Sequence, residues 1–216
     1  MTPLVTIDVV SDAVCPWCYV GKKQLEAALA SLPDIIADVR WRPFQLDATI
    51  PPEGLPRRDH MERKFGAERL PAIHERIAEV GRAVGIPFAF DKIAISPNTL
   101  DAHRLIRWAE SAGVQNAVVE RLFAMFFVEG RDIGDAATLA QAAADAGMER
   151  AIVERLLAGE ADQDSVREEI STAQRIGVTG VPFFIINGRL GVSGAQPAEV
   201  LQRAIIQAMQ EPDAEA

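Results

Sequence analysis

Cys15 and Cys18 are the only cysteines in this chain of 216 residues, and they stand in the run Cys15-Pro16-Trp17-Cys18. A bridge between them would close so short a loop that little entropy would be taken from the unfolded chain. The pair therefore reads as chemistry rather than scaffold. A dithiol at this spacing suits thiol–disulfide exchange, in which one thiolate attacks a foreign sulfur and the second displaces it. Zinc would need about four ligands, yet there is no second cysteine pair and His60, His74 and His103 are scattered. Haem attachment of the c type needs histidine directly after the second cysteine, and Tyr19 stands there. A pair of inert core cysteines is the plain alternative.

The elements around the pair favour reactivity. Leu4 to Val10 is β-branched and short, a strand for the centre of a sheet. Ser11, Asp12 and Ala13 turn the chain, and from Pro16 the residues Leu25, Ala28, Leu29 and Leu32 fall at helical spacing, with Pro33 as the stop. Cys15 thus sits at a helix N-terminus, where unpaired N–H groups and the helix dipole favour a thiolate. Cys15 is the expected nucleophile, and Cys18, one turn on, the expected resolving thiol. Pro16 suits the first turn, where its missing N–H costs nothing, and Trp17 offers an apolar plate beside the sulfurs. Asp12 is a candidate to relay a proton to Cys18, or simply a cap for the turn.

Val39 to Leu46 has strand composition and would close a β-α-β unit with parallel strands. From Ile50 to Pro56 proline and glycine mark a junction, and beyond it nearly all strand signal vanishes. Helical patterns cover about 58–84, 115–128 and 148–158; Ser96-Pro97 reads as the start of a helix ending at Gly113, and Asp135 and Gly147 bracket another. A further amphipathic helix carries Val166, Ile170, Ala173 and Ile176, with Gly177 after it. Strand signal returns at Pro182 to Ile186, Asn187-Gly188 predicts a type I′ hairpin turn, and Pro197 to Met209 reads as the last helix. The acidic tail Glu211 to Ala216 is expected to fray.

Composition narrows the partners. With 49% hydrophobic residues the chain supports a full core without staples. A formal charge of −9 opposes binding to nucleic acid or anionic lipid, and no apolar run approaches the roughly 20 residues of a membrane span. Met1 to Asp8 has no basic opening and no long apolar core, so the expected location is the cytoplasm. There a cysteine pair is usually catalytic, redox-sensing or metal-binding. Arg57, Arg58, Arg63 and Lys64 form a basic cluster that suits a carboxylate or a solvated helix face. Phe123, Met125, Phe126 and Phe127 read as core.

The cysteine motif, Gly177-Val178-Thr179-Gly180-Val181-Pro182 and the long helical stretch together resemble the DsbA family of thioredoxin-like oxidoreductases. Within it, the run Ser11 to Lys22 and the run Pro97-Asn98-Thr99-Leu100-Asp101-Ala102-His103-Arg104 resemble the FrnE-type branch, which is related to 2-hydroxychromene-2-carboxylate isomerases and kappa-class glutathione transferases. The resemblance spans nearly the whole chain. It implies an α/β fold, thioredoxin-like, with a large all-helical insertion: residues 1–56 and 160–216 form the thioredoxin-like domain and 57–159 the insertion. It implies a cis-proline loop at Pro182 facing the cysteines, with the backbone of Val181 free to pair with an extended substrate.

The substrate-binding residues implied are Pro16, Trp17, Val181, Pro182 and Asn98, with His103 a further candidate for the cleft; a helix-start asparagine and a partly buried histidine account for Asn98 and His103 equally well. No metal or organic cofactor is implied, and glutathione is the one candidate co-substrate. Expected partners are thiol- or disulfide-containing proteins or glutathione, with neither nucleic acid nor membrane, and the oligomeric state is left open. Trp17 stands where periplasmic relatives carry histidine, which implies a less oxidising couple. The cysteine at position 15, where the isomerases and transferases generally have serine, favours dithiol exchange over glutathione-dependent isomerisation or transfer. A redox sensor or holdase is the non-enzymatic alternative.

Overall fold

The computed structural model describes residues 4–210. The chain opens with β1 (Leu4–Ser11), α1 (Pro16–Ala30) and β2 (Ile36–Pro43). β1 and β2 run parallel, paired from Leu4↔Ile36 to Ser11↔Pro43, as a helical crossover requires. β2 lies earlier than the expected Val39 to Leu46 because its partner decides its length. Pro43 has no N–H with which to extend the ladder, and after a last bond from Phe44 N–H to the Ser11 carbonyl (3.0 Å) the chain turns away.

β3 (Leu55–Pro56), α2 (Arg57–Phe65), α3 (Leu70–Ala83), β4 (Ile95–Ser96), α4 (Leu100–Ser111), α5 (Gln115–Phe127), α6 (Ala136–Asp145) and α7 (Arg150–Leu157) follow. Then come α8 (Gln163–Arg175), β5 (Phe183–Ile186), β6 (Leu190–Ser193) and α9 (Ala198–Gln210). The main sheet has the order β2-β1-β5-β6, with β5 antiparallel to both neighbours. This is a thioredoxin-like α/β fold with a helical insertion. Asn187 (φ +50) and Gly188 (φ +65) make the tight turn of the hairpin. The Asn187 side chain accepts from Thr6 N–H at 3.0 Å, tying that turn to β1.

The stretch between the two halves of the sheet is helical apart from one ribbon, in which β3 and β4 pair antiparallel, Leu55↔Ser96 and Pro56↔Ile95. Strands of two residues leave no period to read. That pairing corrects the helix start expected at Ser96-Pro97: Ser96 is a strand residue, and α4 begins at Leu100. The helix expected over about 58–84 is two, broken where Gly66 takes φ +84. Asp135 does cap α6, its carboxylate accepting from Thr138 N–H at 2.8 Å.

Alternation along β1 sorts the core. Val5, Ile7 and Val9 point to the face where Phe184, Ile186, Leu25 and Leu201 pack, and this cluster continues into Leu105, Phe123 and Phe127 of the insertion. Val10 points the other way, under Ala173 of α8 and Val178. The run Phe123, Met125, Phe126 and Phe127 is wholly buried.

Contacts to α5 brace α1. Tyr19 stacks on Phe123 (4.9 Å between centroids) and donates to Glu120 at 3.0 Å. Buried Lys22 pairs with Glu120 (2.7 Å) and with Glu26. The helix that begins at the cysteines is thereby fixed against the insertion. Among the described residues no helix is long and apolar enough to cross a membrane. The acidic tail and residues 1–3 of the N-terminal run lie outside the described residues.

Candidate active site

Cys15 is the N-cap of α1, with extended backbone (φ −92, ψ 112) and Pro16 in the first turn. Its N–H donates to the Asp12 carbonyl (3.0 Å), and its carbonyl receives Cys18 N–H (3.0 Å), so the turn after β1 places the sulfur. The Cys15 thiol reaches the carbonyl of Val181 at 3.6 Å, across 166 residues of chain. The Val181–Pro182 peptide is cis. Pro182 packs so closely on α1 that a Cβ at Gly21 would lie 2.9 Å from its Cγ and 3.2 Å from Phe184 Cζ. Glycine at position 21 is what lets helix and loop meet.

Cys18 is fully buried, and both cysteines are free thiols. Burial pushes the Cys18 thiol well up, and its hydrogen bond to Cys15 and the charge on Cys15 push the same way. The Ser11 hydroxyl and the Asp12 backbone act in the opposite sense without prevailing. The two sulfurs thus have different settings, one on the wall of a cleft and one beneath it held as a thiol.

The cleft has a volume of about 340 Å³, and Asp12, Cys15, Pro16, Trp17 and Val181 all line it. Asp12 does not cap α1. Its Oδ2 accepts from Leu46 N–H at 2.8 Å, while buried Oδ1 has no hydrogen-bond partner and lies 3.5 Å from His103 Nε2. His103 bonds the Phe44 carbonyl at 2.8 Å and does not line the cleft. Asn98 is not part of the cleft wall either. Its amide donates to the Ile50 carbonyl (2.6 Å) and accepts from Gln45 (3.0 Å) and from Leu100 N–H (2.9 Å), a bracing role for the loop after β2.

The basic cluster divides. Arg58 is exposed and pairs with Glu62 (2.9 Å), and Arg63 donates to the Asp59 carbonyl (3.2 Å). Arg57 and Lys64 reach the cleft. Arg57 is buried, only 7% exposed, and desolvation pushes its pKa down to about 10. His60, His74, Asp47 and Ser96 also line the cleft, and the sequence placed none of them in the site. No local signal could have found them, because the loop after β2 (Asp47), α2 (His60), α3 (His74) and β4 (Ser96) carry them in from separate parts of the chain. Burial holds both histidines below their ordinary range; Asp47 opposes this for His60 (3.8 Å apart), whereas the charge of Arg57 adds to it for His74.

Residues 6–206 match the model of the DSBA-like thioredoxin domain. A Streptomyces coelicolor structure described as a probable DsbA oxidoreductase is 32% identical, with a TM-score of 0.89 over 98% of this chain and 93% of that one. The Bacillus subtilis (strain 168) protein YwbO is 29% identical over 202 residues, 93% of this chain and 96% of its own length. The structure of a 2-hydroxychromene-2-carboxylate isomerase shares the fold at 16% identity, with a TM-score of 0.73 over 98% of this chain and all of that one. On the match that runs from β1 to α9, the chain belongs to the DSBA-like thioredoxin family.

Proposed function

We propose that the protein is a thiol–disulfide oxidoreductase that exchanges the Cys15/Cys18 dithiol with substrate disulfides. The observation that carries this reading is the asymmetric pair: Cys15 on the cleft wall at a helix N-terminus, with Cys18 fully buried one turn further along the same helix. The Cys15 thiolate attacks one sulfur of a disulfide, forming a mixed disulfide and releasing the other sulfur as a thiolate. Once Cys15 is bonded it no longer carries the charge that opposed ionisation of Cys18. Cys18 then loses its proton and attacks Cys15, which frees the second substrate thiolate and leaves a Cys15–Cys18 disulfide. Two electrons have passed to the substrate, and the same steps in reverse oxidise a dithiol.

Electrons move between sulfurs throughout, so the scheme calls on no metal or organic cofactor, and glutathione suffices to recycle the pair. The cytoplasm, where glutathione is abundant, suits it. Pro16, Trp17 and Val181 would form the substrate-contacting rim, with Pro182 holding that loop on α1. Glutathione-dependent isomerisation or transfer is the second reading; a cleft of about 340 Å³ suits a small molecule.

The test is equilibration with glutathione redox buffers, trapping of free thiols, and comparison with Cys15→Ser. A reversible two-electron couple, lost in Cys15→Ser, is expected, and its position against a cytosolic poise of roughly −220 to −320 mV gives the favoured direction. If no disulfide forms between the two sulfurs, the exchange reading falls and the glutathione-dependent reading replaces it.

A further inference from the structure

We propose that Arg57, Ser96 and His74 form a carboxylate-binding subsite in the cleft, and that its ligand is a small, largely apolar thiol or disulfide that presents its sulfur to Cys15. The second half of this rests on the exchange reading above; the first does not.

Three polar side chains from three elements meet the cleft without partners. Arg57, at the start of α2, is 7% exposed, forms no ion pair among the described residues, and has an unbonded Nε. Its guanidinium faces the Phe126 ring at 5.5 Å. Ser96 in β4 is 4% exposed, and its Oγ has no partner. His74 in α3 stacks on Phe90 at 4.4 Å, and its Nε2 has none either. The β3–β4 ribbon sets Ser96 opposite Leu55, two residues before Arg57.

Buried cations without a counter-charge are costly, and buried polar groups are normally hydrogen-bonded. Arginine cannot relieve that cost by losing a proton near neutral pH. One anion in the cleft would answer all three groups at once, since Ser96 donates from its hydroxyl and a neutral imidazole donates from Nε2 in one tautomer. The planar guanidinium fork matches a carboxylate.

The rest of the wall sets the body of the ligand. Trp17, Ile50, Ile73, Ile77 and Phe90 make it mainly apolar. Asp12, Asp47 and Lys64 also line the cleft; Lys64 faces the opposite charge of Asp47, which leaves Arg57 as the cation without a counter-charge. A single carboxylate on an apolar body fits this wall better than glutathione, with its two carboxylates and an ammonium.

The probe is 3-phenylpropionate, with neutral 3-phenylpropanamide as its isostere, titrated by calorimetry into the full-length reduced protein. The acid is expected to bind at least roughly tenfold tighter than the amide. This preference should vanish in Arg57→Gln and shrink in Ser96→Ala, and the acid should slow alkylation of Cys15 by iodoacetamide. Equal affinities, binding of neither compound, a preference that survives Arg57→Gln, or no protection of Cys15 would each overturn the proposal. Glutathione binding tighter than the acid would overturn its apolar half. Should Arg57→Gln fail to fold, Ser96→Ala carries the same test, because it removes one small hydroxyl. Arg57-dependent binding without a Cys15/Cys18 couple would leave the subsite standing and remove the exchange reading; the couple without such binding would do the reverse.

Discussion

Reduced protein should lose stability as pH rises above the ordinary thiol range, and Cys18 should be the cause. Cys18 is fully buried, and burial, its hydrogen bond to Cys15 and the charge on Cys15 hold its thiol well above its ordinary pKa. An unfolded chain returns that thiol to about 8.5. The folded state therefore binds more protons than the unfolded state above that pH. Stability from this group is fully present below about 8.5 and is lost as pH climbs toward the raised folded value, at no more than about 1.36 kcal/mol per pH unit. From 8.5 to 10 the span is 1.5 units, so the loss assignable to Cys18 is about 2 kcal/mol. Urea unfolding under excess phosphine reductant, followed by tryptophan fluorescence, measures it when wild type and Cys18→Ala are compared from pH 7 to 10. Cys18→Ala shifts every point through lost packing, but only the wild type should fall by the further ~2 kcal/mol. A difference between the two proteins that stays constant over that range, within about 0.5 kcal/mol, would refute the argument. It would also remove the basis for Cys18 waiting as a thiol while Cys15 attacks.

Glu120 is the brace between α1 and α5. Burial works against its charge, but Lys22 and Lys23 outweigh it and hold the carboxyl below its ordinary range. Its stabilisation is present above about 4.3 and is lost as pH falls through the folded value. Glu120→Gln should cost about 1–3 kcal/mol at neutral pH, and the gap from wild type should close in acid urea titrations; a gap independent of pH would show that charge plays no part. Asp135→Ala removes the bond to Thr138 N–H that opens α6, at about 0.5–2 kcal/mol, whereas Asp135→Asn should retain most of it. Thermal melts that rank the two variants equally would contradict the capping role.

Much of the site was readable because its causes are local. A β-branched run, a turn and Pro16 at the first helical position place Cys15 at a helix N-terminus, and each acts within a few residues. The hairpin turn at Asn187-Gly188 is local in the same way, since both residues tolerate positive φ. Asn98 shows where such reading stops. Its place in a family-like run pointed to substrate, yet its amide holds Ile50, Gln45 and Leu100, two of which lie about 50 residues away. Ser96 looked like a helix start because serine before proline is a common cap, and the chain instead commits it to a strand through Leu55.

The sequence by itself determined which end of a helix bears the two sulfurs, and that strands and a helical insertion must frame them, because propensity, capping and hydrophobic period are properties of neighbours. Only the tertiary structure decided that Cys18 is sealed away, and that Arg57, His74 and Ser96 converge on the cleft that Cys15 lines. Those pairings join residues far apart in the chain, and they are set by how the α/β core and the insertion pack together, a sum over many weak contacts that no short window contains.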